Sequence, residues 1–534
     1  MSQILKRVNN RLSIGGAATL IVSVTLLAQM LGFLRNRLIS TNFTVTNPGA
    51  SDAFFAAFII PDFFYYTIAA GALGVAFMPF LVDRLEQGNR KAVWELVNSL
   101  LNVLMIAMTF VAIIILVFAR PLVHALAPNL PQENLNQAVL IMRFLALNPL
   151  FFTIAGILTS VQQTFGRFFF YAIAPLLYNL AIIVSIFVFR DNIGIVGLGI
   201  GAAVGGLMQL LLSTLGLVGL GFTYKPFVAW RNRDFRGVLR NLPPRSLDQG
   251  IDQVNSIVET NRAQALGVGP ISWYSFAATI HNVPIMLLGN SVAIAAFPRL
   301  IERLSQNRPD LFRREFLQVL RVMIWLTMPV IVIAYFCRGY LARLIFGDVS
   351  PEVSSIFGYL VLAILFRIIY SMFSRYFYAH KDTKTPLFVS IFAIALNIYL
   401  AFTLSRPNAY GVEGLAIAQS IVAMSEVAIL FAVIVKRDPH FFVKDFWQGM
   451  VKIAAVTGFT LMVAFFLISL LPLEVSDVGF FVLGSKLGLI SFITFGTHLL
   501  LSKIFDLEEA RPVVNKIKQF VLGGFSVFSK RVIK

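Results

Sequence analysis

The chain has 534 residues, 58% of them hydrophobic and only 13% charged, with a mean hydropathy of +0.80. Soluble globular domains carry about a quarter charged residues, so lipid is the solvent for most side chains here, which excludes an ordinary soluble enzyme or binding module. The net charge of +18 raises nucleic acid as a partner, but the basic residues collect in alternate connections, so one membrane face explains them better.

In chain order, apolar runs long enough to span a bilayer, about 20 helical residues, fall at 16–34, 101–119, 168–189, 194–222, 315–336, 386–404, 414–435, 450–471 and 478–501. Helices interrupted by single polar residues near 52–82, 135–162, 248–267, 272–298 and 356–379 bring the total to about fourteen. Short alternating blocks are absent, so a barrel is excluded. The expected fold is an all-α polytopic membrane protein.

The N-terminus is basic (Lys6, Arg7, Arg11) and then apolar, without a small-x-small cleavage site. It reads as an uncleaved first helix. That helix ends LGFLRNRLIS, where the planar fork of Arg35 suits a phosphate. The second opens with SDAFFAAFIIPDFFYY, residues 51–66. Asp52 is expected at the helix start, where the dipole favours an acid; Asp62 falls mid-membrane, where an ionisable group is costly.

The basic stretch 223–247 reads as a cytoplasmic connection. The seventh helix, RSLDQGIDQVNSIVETNRAQ, places Asp248, Asp252, Asn255, Glu259 and Arg262 at spacings of 4, 3, 4 and 3, one stripe on one face. A polar seam between helices and the lining of a water-filled cleft both fit such a stripe, and Glu259 and Arg262 can pair at i, i+3. Arg367 and Arg375 in the tenth helix are further cations. From Glu508, apolar residues at helical spacing among Lys and Arg suit a helix on the inner leaflet.

Three landmarks repeat. PFLVDRL (79–85) returns as PRLIERL (298–304), Asn179 as Asn397, and GIVGLGI (194–200) as GVEGLAI (411–417). A period near 218 divides the chain into two parallel six-helix bundles, 1–222 and 248–436. An appended pair of helices follows in 437–505, and then a basic amphipathic tail, 506–534. Parallel repeats occur in secondary transporters, whose halves rock about a shared cleft. The offset of 219 carries Asp62 onto His281, each beside a proline (Pro61, Pro284). A carboxylate and an imidazole at equivalent places form a candidate coupling pair; two separate polar groups at helix kinks are the other reading.

Basic residues number about thirty on one side and about five on the other, which puts both termini in the cytoplasm. A single cysteine, Cys337, excludes an internal disulfide or a cysteine metal cage. With no Gly-rich phosphate loop, HExxH or metal-spaced cluster, no enzyme activity, cofactor or metal is expected.

GFLRNR, SDAFFAAFIIP, SWYSF, AAFPRL and FYAHKDTKTP together resemble the MviN/MurJ family of lipid II flippases from about residue 20 to 440. The resemblance implies the multidrug/oligosaccharidyl-lipid/polysaccharide exporter fold, with a cationic cavity among helices 1, 2, 7 and 8. It implies a bacterial inner-membrane protein whose substrate is an undecaprenyl-pyrophosphate-linked peptidoglycan precursor. Arg35, Asp52 and Ser272 match family positions. Gln29, Ile59, Tyr65, Tyr66, Ala70, Ala278, Thr279 and Asn282 stand where the family commonly has charged residues, whereas Asp62, Asp252, Glu259 and His281 are charges it usually lacks.

The expected function is a lipid II flippase working by alternating access. Arg35 and Arg262 would hold pyrophosphate, and Asp52, Asp252, Asn255, Glu259 and Ser272 would serve as polar contacts. An H⁺ or Na⁺ gradient or the membrane potential would drive it, in a phospholipid bilayer and with no protein partner indicated. Alternatives are an ion-coupled exporter of small amphipathic molecules, a flippase of another lipid-linked oligosaccharide, and a non-transporting scaffold.

Overall fold

The structure, a computed structural model, describes residues 14–70, 77–347 and 350–511. Among them there is no strand. The helices, in chain order, are α1 (Ile14–Ile39), α2 (Pro48–Phe64), α3 (Met78–Glu86), α4 (Arg90–Leu126), α5 (Gln132–Leu145), α6 (Asn148–Thr164), α7 (Phe169–Phe189), α8 (Val196–Leu215) and α9 (Arg233–Gln264). They continue as α10 (Pro270–Pro284), α11 (Ser291–Ser305), α12 (Pro309–Phe336), α13 (Arg338–Phe346), α14 (Ser350–Ala379), α15 (Lys384–Leu404), α16 (Glu413–Arg437), α17 (Lys444–Leu470) and α18 (Phe480–Ile504).

Eleven helical stretches among the described residues are long and apolar enough to cross a membrane: α2, α4, α5–α6, α7, α8, α12, α14, α15, α16, α17 and α18. The protein is thus an all-α polytopic membrane protein. Three expected spans outside that set, α1, the later part of α9 and α10–α11, are helical as well. They are the helices carrying Arg35, the polar stripe and His281.

Two compact units form. One takes the described residues up to Phe276 with Ile345–Val349 and Ile398–Val412; the other takes Ala277–Leu344, Ser350–Asn397 and the described residues from Glu413. Each unit contains a π turn that follows a proline. The α2 segment passes Pro61 into a wide π turn at Tyr65–Ala70, and α10 passes Pro284 into a second at Ile285–Asn290. The two turns begin 220 residues apart, close to the period near 218 of the sequence landmarks, and π turns often mark functional positions. Asp62 and His281 each sit about one turn before the π turn of their half.

Part of the expected connection at 223–247 is already helix, because α9 begins at Arg233 behind an Asn232 cap. The rest is tied down. Asn98 and Asn102 on α4 donate to the carbonyls of Thr223, Lys225 and Phe227, and Ser99 accepts from the Ala229 N–H. A two-pronged pair from Arg84 to Asp234, at 2.5 and 2.9 Å, then fixes the first turn of α9. Below it Phe77, Leu81, Leu100, Phe165 and Phe235 share one buried cluster. The tail beyond residue 511 lies outside the described residues. Just before it, Glu509 is buried against Arg321.

Candidate functional site

Asp52 does not open its helix. Asn47 is the cap, accepting from the Ala50 N–H at 3.2 Å, and Asp52 lies in the second turn. Its carboxylate serves a different helix. Oδ1 accepts from the Ser272 N–H (2.8 Å) and hydroxyl (2.6 Å), while Oδ2 accepts from the Gly269 N–H (2.5 Å). Asp52 therefore caps the start of α10 from across the unit, satisfying N–H groups that the helix cannot satisfy itself. Gly269 has φ of +111°, a left-handed conformation, and a Cβ there would meet the Trp273 ring at 2.6 Å. Only glycine presents its N–H this way. Asp52 and Ser272 are both 0% exposed, so this pair of expected substrate contacts is spent on joining α2 to α10.

At the other end of α2 the chemistry differs. Asp62 makes no side-chain hydrogen bond or ion pair among the described residues, while Tyr65, Tyr66 and Tyr178 lie within electrostatic reach of it. Tyr65, Phe152 and Tyr178 form a continuous aromatic wall, with centroid spacings of 5.7 and 5.3 Å. Tyr178 is also within electrostatic reach of Arg35. Arg35 donates to the Asn36 side chain from Nε and Nη2 and to Asn179 from Nη1 (3.0 Å), and has no ion-pair partner among the described residues. The guanidinium is thus oriented by neutral amides and keeps its charge uncompensated, which suits an incoming anion. Asn36, Asn179 and Tyr178 escaped the sequence reading; the repeat had marked Asn179 as a landmark, but nothing in spacing tied it to Arg35.

Among the described side chains of the α9 stripe, Asn255 and Arg262 have different partners. Asn255 reaches Glu259 at 3.5 Å. Arg262 turns to the end of α15, donating to the Ser405 carbonyl and hydroxyl at 3.3 and 3.4 Å and stacking over Phe402 at 4.8 Å. A cation on the last carbonyls of a helix is a C-cap contact. The side chains of Asp248 and Asp252 lie outside the described residues.

In the second unit His281 is buried, with Nδ1 lacking a hydrogen-bond partner, next to the Leu360 backbone and Arg367. Arg367 forms an ion pair with Glu426 of α16 (2.8 Å) and donates to Gln419 at 3.0 Å. Glu426 sits inside an apolar run and was not picked out from the sequence, although a lone acid there was itself the signal. Asp62 belongs to one unit and His281 to the other. Among the described residues no three His, Cys, Asp or Glu converge as metal ligands.

This arrangement belongs to a transporter fold. A solved structure described as lipid II flippase MurJ in an inward closed conformation superposes with a TM-score of 0.75 at 22% identity, covering 91% of this chain and 98% of that one. An inward-facing multidrug resistance MATE family transporter of the MOP superfamily gives 0.68 at 16% identity, covering 80% and 99%. Likeness at such identities defines the fold alone. The chain matches the family profile described as lipid II flippase MurJ over residues 46–486, and it belongs to that family. Similar relatives include the probable lipid II flippase MurJ of Borreliella burgdorferi, 25% identical over 79% of this chain and 83% of that one. Lipid II flippase MurJ of Burkholderia cenocepacia is 27% identical over 77% and 82%.

Proposed function

We infer that the protein is a lipid II flippase, carrying a polyprenyl-pyrophosphate-linked peptidoglycan precursor across the membrane. The observation that carries this reading is the family match over residues 46–486, most of the chain. The uncompensated guanidinium of Arg35 supports it locally, because pyrophosphate is a doubly forked anion and Arg is its geometric complement. The aromatic wall of Tyr65, Phe152 and Tyr178 offers flat faces and hydroxyls to a sugar.

Fourteen spans follow if α1, α9 and α10–α11 also cross, their polar groups facing protein or water, as intramembrane charges do. The excess of Lys and Arg in alternate connections supports a bacterial inner-membrane protein with both termini in the cytoplasm. The duplicated bundles suit alternating access, and a transporter rather than a catalyst. Of the residues expected to touch substrate, Arg35 is the best supported. Asp62 and His281 remain the candidates for coupling to H⁺ or Na⁺, each about one turn before a π turn.

Depleting the protein in a cell that depends on it tests the reading. Lipid-linked precursor should accumulate on the inner leaflet and lysis should follow. Unchanged labelling of outer-leaflet precursor after depletion would reject it. Drug-stimulated proton flux in proteoliposomes would point instead to an ion-coupled exporter.

A further inference from the structure

A second cation site lies far along the chain from Arg35. Where α12 ends and α13 begins, a cavity of about 430 Å³ opens, lined by Tyr335, Phe336, Arg338, Ser354, Phe465 and Ile468 among others. Arg338 sits at its edge. Nη1 donates to the Tyr335 carbonyl at 2.8 Å, the guanidinium stacks on the Tyr335 ring at 4.7 Å, and the stem lies against Gly358 of α14. A Cβ at Gly358 would meet the Arg338 Cδ at 3.0 Å, so the glycine makes the seat for this side chain.

Two other basic groups at this end of the unit, Arg343 and Lys486, lie outside the cavity lining. Arg343 donates to the Glu474 carbonyl at 2.6 Å, and Lys486 pairs with Asp477 at 2.7 Å. Arg338 has no ion-pair partner among the described residues, and no carboxylate lines the cavity. Its Nε and Nη2 hold no acceptor there. A guanidinium pinned by one edge and open on the other is preorganised for an oxyanion.

Phe336, Phe465 and Ile468 form an apolar side of the wall that leads outward. Phe336 and Phe465 meet edge-on at 6.2 Å. From Phe465 the surface continues along α17 over Met462 and Phe466, which with Phe465 are 60–65% exposed. α12 and α17 are both helices of spanning length and composition, and Phe336 and Leu470 are their C-terminal ends. The cavity therefore sits at the membrane boundary, with a charged head and a lipid-facing apolar path.

We propose that this cavity binds the phosphate headgroup of an anionic phospholipid, with Arg338 on the phosphate and an acyl chain along Phe465 and Met462. Charge complementarity selects an anionic headgroup, and the continuous apolar path selects a lipid over a free anion. The site needs nothing from the Arg35 region, so it stands or falls independently of the transport reading.

Native mass spectrometry of the full-length protein, released from micelles doped with phosphatidylglycerol or phosphatidylcholine, tests it. The wild type should retain one phosphatidylglycerol in preference to phosphatidylcholine. Arg338→Gln should weaken retention about fivefold, the effect of one basic residue at a lipid surface. Arg338→Lys should restore part of it, and Arg406→Gln should leave it unchanged. Gly358→Leu, which fills the seat while keeping the charge, should weaken retention as well, and covers the case in which Arg338→Gln misfolds. Equal retention by Arg338→Gln and wild type, or equal retention of the two lipids, overturns the proposal. Displacement of the lipid by millimolar inorganic phosphate overturns the lipid assignment, because a free anion would then suffice.

Discussion

The two ends of α2 carry one aspartate each, ten residues apart, and treat them oppositely. At Asp52, three donors converge from the start of α10 and leave the carboxylate dry and satisfied. At Asp62, the surroundings are tyrosines, and no hydrogen bond or ion pair holds the acid among the described residues. The same contrast separates Arg367, paired with Glu426, from Arg35, held only by neutral amides. An intramembrane charge is structural where partners converge on it. It is a candidate for function where the fold orients it and leaves it uncompensated.

The contrast can be broken by substitution. Asp52→Ala should cost most, about 3–5 kcal/mol, since it strands buried N–H groups of α10; thermal unfolding in detergent reads this as a large drop in Tm. Asp62→Asn should stay within about 1 kcal/mol of wild type, because no partner is lost. Equal losses at the two positions would erase the distinction. Arg367→Gln should cost about 3 kcal/mol by leaving Glu426 buried without its cation, and Arg367→Gln with Glu426→Gln should recover much of that.

Arg35→Gln sharpens the functional side. Its stability should change by less than about 1 kcal/mol, while transport falls roughly tenfold or more for loss of a charge-assisted anion contact. Rescue assays in a depleted strain measure it. A fully active Arg35→Gln would remove this residue from the site. A smaller effect is expected at Gly269→Ala, about 1–2 kcal/mol, from forcing a side chain into a left-handed conformation against Trp273.

The smallest effect concerns pH at a membrane end. Burial alone would raise the pKa of Asp382, but hydrogen bonds from Thr385 and the Arg437 guanidinium bring it from the usual 3.8 down to about 2. A depressed acid contributes stability above its unfolded pKa and loses it as pH falls through the folded one. The Tm gap between wild type and Asp382→Asn should thus be full at pH 5 and narrow between pH 4 and 2. A gap that does not change across that range would refute the link.

Much of the fold was legible because lipid imposes a simple rule: apolar runs of about 20 residues become helices that satisfy their own backbone. Two π turns lie 220 residues apart, close to the repeat offset. The local chemistry was less legible. Asp52 looked like a cap for its own helix and caps α10 instead, since Gly269 and Ser272 are distant in sequence. Arg262 looked like a partner for Glu259 at i, i+3, yet Ser405 and Phe402 draw it away. Glu426 was hidden in a run scored for length and apolarity.

Composition and periodicity alone determined that this is a helical membrane protein that crosses the bilayer many times. Tertiary structure alone decided which of its buried charges are satisfied. Helix formation depends on neighbours three or four residues away, whereas the fate of an Asp or Arg in low dielectric depends on whichever donor or acceptor the fold brings within 3 Å.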